Sequence, residues 1–377
     1  MLHEGDTVAQ TAQGLGGLKY DPTKKTRANE WNVLVALILI VLVFEVLNRI
    51  NGTSFLFNMR DNVDSLFNQQ RLDIIVLQVA ITGVIALGAT QVIILGGIDL
   101  SPGSVVGATA MVTMSFAQTA VVNGNPNPNA VFGPGWLDLP VIVPIAIGLG
   151  CGMIAGLING LLIAYTRIPP FIATLGMMVS ARGVARWWSN GQPVSFPTES
   201  YGALSNGDLL SSLTFGLFSW QGQNPAVVFI ILAVLFHVIM KFTVYGKRSY
   251  AIGSNEAAAR MSGIDVDRHK VLVYTIAGVL SAVAAVLLTS KNLSAQAGMG
   301  VMYELDGIAM AVIGGISLSG GRGSITGTVL GALIFSVIIS GFTSIRLDAY
   351  YQEMVKGAII VGAVVLDQWR QKSRTRG

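Results

Sequence analysis

The chain has 377 residues, of which 52% are hydrophobic and only 12% charged, with a mean hydropathy of +0.62. A soluble domain carries about 25% charged residues, so this composition excludes an ordinary soluble protein and points to one embedded in a membrane. The formal charge of +4 calls for no nucleic-acid partner. The single cysteine, Cys151, excludes an intrachain disulfide and a cysteine-based metal site.

The apolar runs are continuous rather than alternating, which predicts helices and not a barrel. Residues 1–30 are polar and predict a cytoplasmic N-terminal tail with Lys19, Lys24, Lys25 and Arg27 ahead of a first span at 31–47. No cleavable signal is expected there. Residues 48–73 are polar with scattered apolar groups, and Phe55, Leu56, Phe57, Leu66 and Phe67 are expected on the membrane surface. A second span at 74–95 carries Gln78, Thr82, Thr90 and Gln91.

The chain then reads Gly96-Gly97-Ile98-Asp99-Leu100-Ser101-Pro102-Gly103-Ser104 between two apolar runs. Glycine permits unusual backbone and proline cannot continue an upstream helix. Non-helical backbone at membrane depth is tolerated only where protein buries it or where it lines a wet cavity. Asp99 has two readings: a pathway acid, or the cap of a helix beginning near Pro102. The capping role is preferred.

A third span is expected at 105–122 and a fourth at 141–165. The fourth holds Gly148, Gly152, Gly156 and Gly160, a repeated four-residue spacing that lines one helix face and predicts close helix packing. Asn159 lies beside that seam. Pro169 and Pro170 break the chain before a short fifth span at 171–184, with Arg182, Arg186, Trp187 and Trp188 expected at an interface. A polar loop at 189–224 lacks Lys and Arg, and a sixth span at 226–240 contains His237, taken as structural.

Residues 241–270 form the longest basic loop. Within it Asn255 can cap a short helix, Glu256 suits the first turn, Ala257, Ala258 and Arg260 favour helix, and Gly263 can end it. Spans seven to ten are expected at 271–288, 305–318, 325–342 and 355–365, followed by a basic cytoplasmic tail at 367–377. Most Lys and Arg fall in segments that ten spans place on one side, which predicts two cytoplasmic termini. Gly96-Gly97-Ile98-Asp99-Leu100-Ser101 is echoed by Gly314-Gly315-Ile316-Ser317-Leu318-Ser319; paired interruptions of this kind mark central sites in transporters.

Gly320-Gly321-Arg322-Gly323-Ser324 lacks the Lys-Ser/Thr ending of a phosphate loop. No nucleophile or metal motif occurs, so an enzyme reading survives only through Asp99 with a distant acid such as Glu304 or Asp306.

Four stretches in order, 96–104, 168–176, 245–265 and 314–331, resemble the permease subunits of bacterial ribose-type ABC importers, which take up monosaccharides. The resemblance covers the chain from about residue 70 onward. It implies an all-α polytopic bundle of about ten transmembrane helices with broken or re-entrant segments, in the inner membrane. The permease domain then runs over 31–366, with 241–270 as its cytoplasmic coupling loop. It also implies partners: cytoplasmic subunits that hydrolyse ATP, a periplasmic sugar-binding protein, and a second permease copy in a homodimer. No cofactor or metal is expected on this chain. The resemblance places Gly253, Asn255, Glu256, Ala257, Ala258, Arg260 and Gly263 in the coupling loop. Pathway candidates are Gln78, Thr82, Gln91, Asp99, Ser101, Asn159 and Thr174. Pro102 and enlarged loops at 48–73, 123–140 and 189–224 depart from the family pattern, so a specific sugar does not transfer. A nucleoside permease on the same scaffold and a lone ion-coupled carrier are the alternatives.

Overall fold

The computed structural model describes residues 22–57, 67–214 and 221–375. Most of the expected N-terminal tail, and Leu66, lie outside these residues. The fold is a helical bundle. In chain order its helices are α1 (Pro22–Ile50), α2 (Gln69–Ile94), α3 (Pro102–Ala117), α4 (Ile142–Thr166), α5 (Pro170–Trp188), α6 (Glu199–Asn206), α7 (Leu209–Leu213) and α8 (Asn224–Phe242). There follow α9 (Val244–Ser254), α10 (Glu256–Met261), α11 (Val266–Asn292), α12 (Tyr303–Ile313), α13 (Ile325–Ser344) and α14 (Ala349–Thr375). Two short antiparallel pairs accompany them: β1 (Val121–Val122) with β2 (Asn125–Pro126), and β3 (Val194–Ser195) with β4 (Ser294–Ala295).

Among the described residues six helices are long and apolar enough to cross a membrane: α1, from Trp31 onward, α2, α4, α8, α11 and α13. In α2 and α11 the apolar window is 67% buried, against 17% in α1, so α2 and α11 form the centre and α1 lies at the periphery. α11 packs along α4, α2 and α3, while α2 also meets α12, α13 and α8. Local chemistry sets several starts. Asn68, Asp265 and Ser324 each accept a backbone N–H from the first turn of α2, α11 and α13, satisfying donors that a helix start leaves open.

Several boundaries differ from the sequence expectations. Helix is already present from Pro22, ahead of the expected first span. The third span stops at Ala117, and Val121–Val122 joins a hairpin instead. At 16 residues α3 is about 24 Å long, and at 11 residues α12 is about 17 Å, against an apolar thickness of about 30 Å. Both are partial helices. Where the fifth and tenth spans were expected the structure has the helices Pro170–Trp188 and Ala349–Thr375, neither of which is among the six. Between α4 and α5, Arg167 adopts a left-handed φ of 58° and Pro170 opens the next helix. The loop at 189–224 contains β3, α6 and α7. Phe55 is fully buried against Phe44, with ring centroids 5.7 Å apart, and is not on the membrane surface. Glu45 holds that segment in by accepting the Leu56 N–H at 2.9 Å.

The repeated Gly-Gly-Ile motif ends α2 and α12 in the same way. Gly96 and Gly315 take φ of +91° and +90°. The next residue in each case, Gly97 or Ile316, bonds back to Val92 O or Ala311 O, which is the Schellman closure. The structural register is shifted by one from the sequence echo: Gly96 matches Gly315, not Gly314.

Candidate functional site

In the segment between α2 and α3 burial alternates, with Gly96 and Ile98 exposed and Gly97, Asp99 and Ser101 buried. Asp99, Ser101, Asn159 and Thr174 are all buried around it. Asp99 Oδ1 accepts from the Ser101 N–H at 2.9 Å and from Ser101 Oγ at 2.7 Å. Ser101 Oγ in turn accepts from Asn159 Nδ2 of α4 at 2.9 Å. Thr174 of α5 accepts the Leu100 N–H at 3.1 Å. Side chains from α4 and α5 thus hold an extended backbone that cannot satisfy itself. Ser101, not Asp99, is the residue preceding α3, and no side chain caps that helix. The capping role preferred for Asp99 is therefore corrected: its carboxylate closes a local turn on Ser101.

Gln78 and Thr82 do not join this cluster. Thr82 Oγ1 donates to Gln78 O within α2 at 2.6 Å. Gln91 is buried and accepts from Tyr245 Oη of α9 at 2.8 Å, a tie between the central helix and the basic loop. Two buried polar atoms beside the cluster, Asn159 Oδ1 and Tyr274 Oη, have no hydrogen-bond partner among the described residues. Gly97 lies against that tyrosine, and a methyl group there would overlap Tyr274 Oη.

The seam on α4 faces α11. Added side-chain carbons at Gly152 and Gly156 would overlap Gly278 O and Tyr274 O, and at Gly160 one would lie 2.7 Å from Val271 Cα. At Gly148 the obstacle is Thr113 of α3, with Val286 at 3.3 Å.

A second cluster joins the starts of α3 and α12. Arg182 donates to Ala297 O at 2.7 Å, to Met299 O at 2.9 Å and to Gly103 O at 3.3 Å. It is half-buried and ties α5 to the chain ahead of α12 and to the first turn of α3. Glu304 interacts electrostatically with Arg182, and Asp306 pairs with Lys356 of α14 at 3.1 Å. These acids are engaged with cations rather than with Asp99. Among the described residues no group of His, Cys, Asp and Glu could hold a metal ion.

The basic loop folds as α9 and α10. Asn255 Oδ1 accepts the Ala258 N–H at 3.0 Å. Gly263, with φ +80°, closes the other end, where Ile264 N–H reaches Ala259 O at 3.1 Å. Ala259 is buried, whereas Glu256, Ala257, Ala258 and Arg260 are exposed and Met261 is 90% exposed. Glu256 accepts from Lys270 at 2.8 Å and from Arg260 at 3.1 Å. Partial burial pushes its carboxyl up, but these two cations outweigh it and hold the carboxyl below its ordinary range. Arg260 also bonds Asp267, whose carboxylate, with that of Glu256, raises the guanidinium further above its usual range.

Gly253, at the end of α9, meets both broken connections. A methyl there would overlap Ile94 O and lie 2.7 Å from Gly321 N. Gly321 N–H donates to that same Ile94 O at 2.8 Å. One at Gly320 would lie 2.8 Å from Gly253 O and 3.0 Å from Gly96 Cα. The loop therefore touches both helix interruptions through backbone. Sequence reasoning did not single out Tyr245, Tyr274 or Met261. Their only signal was aromatic or apolar character next to polar stretches, which has no defined spacing.

The model of the family described as branched-chain amino acid transport system / permease component matches residues 71–364. The ribose import permease of Bacillus subtilis is 42% identical over 78% of this chain and 83% of its own length. That of Escherichia coli K12 is 33% identical over 96% of this chain and 100% of its own. The galactose/methyl galactoside import permease of Escherichia coli K12 is 37% identical over 78% and 84%. No solved structure matches the chain significantly. The chain belongs to this family of transport-system permease components, as a multi-pass membrane subunit.

Proposed function

We propose that this chain is the permease of an ABC importer that carries a monosaccharide or related polyol inward by alternating access, driven by ATPase subunits on the cytoplasmic side. The observation that carries the reading is the 33% identity to a ribose import permease across 96% of this chain and the whole of that relative. The chemistry agrees. The buried polar groups around 95–101 are amides and hydroxyls with a single acid, Asp99, already bonded to Ser101. Such groups can exchange hydrogen bonds with an uncharged, hydroxyl-rich solute, whereas an amino-acid zwitterion calls for fixed countercharges.

In this reading the α9–α10 loop is cytoplasmic and α10 is the knob that a partner ATPase grips through Glu256, Ala257, Ala258, Arg260 and Met261. The six long helices, with α3, α5, α12 and α14, make about ten membrane segments, and both termini are cytoplasmic. Asp99, Ser101, Asn159 and Thr174 remain pathway candidates, with Gln91 as a link to the loop. A homodimeric permease, a periplasmic binding protein and two ATPase subunits complete the importer. The chain itself needs no cofactor.

Proteoliposomes containing the chain with its ATPase and binding protein test this. Uptake of one labelled sugar that requires all parts and internal ATP is expected. The panel includes ribose, galactose, xylose, inositol, a nucleoside and leucine. Uptake by the chain alone on an ion gradient overturns the reading, and leucine uptake overturns the substrate class.

A further inference from the structure

The end of α8 carries a feature that transport does not use. A cavity of about 290 Å³ opens between α8, α9 and the start of α13, lined by His237, Lys241, Lys247, Tyr250, Ser324 and Thr326 among others. No acidic residue lines it. Neither Lys241 nor Lys247 forms an ion pair among the described residues. The cavity wall includes the first turn of α13, a 20-residue helix whose N-terminus adds a positive potential. Tyr250 Oη donates to Gly323 O at 2.9 Å and holds the wall together. Two exposed lysines without an ion pair among the described residues, Lys241 with its ammonium 5.3 Å from the Phe242 ring centroid, stand with a helix start at a half-open cavity and fit a phosphate group.

The approach to the cavity is apolar. On α8 Ile230, Val234 and Val238 are exposed by 54%, 60% and 45%. They follow at helical spacing toward Lys241, on a helix long and apolar enough to span a bilayer. A phosphate donor that also covers this stripe must carry a hydrocarbon chain. We propose that the cavity binds the headgroup of an anionic phospholipid, with an acyl chain along the exposed face of α8. Basic pockets at the membrane surface are suited to such headgroups. The proposal requires that α8 spans the bilayer and is independent of what the permease carries.

Native mass spectrometry of the purified full-length chain, released from detergent with added phosphatidylglycerol or phosphatidylcholine, tests it. Phosphatidylglycerol is expected to be retained on the order of tenfold more tightly than phosphatidylcholine, given two lysines at the surface. The double variant Lys241→Gln/Lys247→Gln loses that preference, while Arg346→Gln, in the turn after α13, keeps it. A folded double variant, shown by unchanged size-exclusion behaviour, that still prefers phosphatidylglycerol overturns the assignment. So does equal retention of both lipids by the parent chain. Displacement of the lipid by millimolar inorganic phosphate would make this a free-anion site and overturn the lipid assignment.

Discussion

Replacing one glycine of α4 by alanine should have opposite consequences on the two faces of that helix. At Gly156 the added carbon overlaps Tyr274 O and comes to 2.9 Å from Thr275 Cα and 3.1 Å from Gly278 Cα, where ordinary contact begins at 3.4 Å. All three obstacles are backbone, so no rotamer change relieves them. α4 must move off α11, and the reciprocal contact between Gly152 and Gly278 opens with it. At Gly150 nothing lies within 4 Å of the added carbon. Both variants gain the same intrinsic helix preference of about 1 kcal/mol. The difference between them therefore isolates the clash, about 1–3 kcal/mol by the usual cost of overpacking. Cys151 is the sole cysteine and sits next to the seam, half-buried, so its reaction with a thiol dye on heating reports separation. Each kcal/mol should lower the labelling midpoint by about 2–4 °C in Gly156→Ala relative to Gly150→Ala. Equal midpoints would refute the claim that this seam is a backbone-to-backbone contact.

Other expectations concern the loop and the broken helix. Asn255→Ala removes the cap of α10 and should cost about 1 kcal/mol locally, seen as faster amide exchange over 256–261; unchanged exchange would show that the cap contributes nothing. Tyr245→Phe leaves Gln91 Oε1 buried without its donor, at a cost of about 1–3 kcal/mol. ATP hydrolysis by the assembled importer should then persist while sugar moved per ATP falls; an unchanged ratio would show that this bond transmits nothing. Asp99→Asn retains an acceptor for both Ser101 bonds, so uptake should survive; its abolition would favour proton coupling through the acid. Glu256 has a depressed carboxyl pKa, so its contribution is complete above its ordinary 4.5 and is lost only as pH falls through the lower folded value. Coupled uptake should accordingly be flat from about pH 8 to 5 as far as this group is concerned, and loss of coupling within that window that Glu256→Gln abolishes would contradict it.

Much of this protein follows from short-range properties of the chain. Long apolar runs must satisfy their own backbone in lipid, so composition and run length alone demanded helices. The cap at Asn255, the close at Gly263, the break at Pro169 and Pro170 and the small-residue face of α4 are local in the same sense: each depends on neighbours within about one or two turns. Four ordered motifs were sufficient to name the family. Tertiary structure decided what no local pattern encodes. Asp99 met Ser101, the residue before α3, rather than an N–H of that helix's first turn, while Asn159 of α4 and Thr174 of α5 hold the segment from the side. Arg182 found its partners in the carbonyls of Ala297, Met299 and Gly103, at least 79 positions away in the chain. The two Gly-Gly-Ile motifs shared a helix ending but in shifted register, because Gly97 must clear Tyr274 while a methyl on Gly314 would overlap Gly327 O on α13. Gln91 found its partner 154 positions away in Tyr245. Such pairings arise only when the packed helices bring distant polar groups together and the absence of water obliges them to bond.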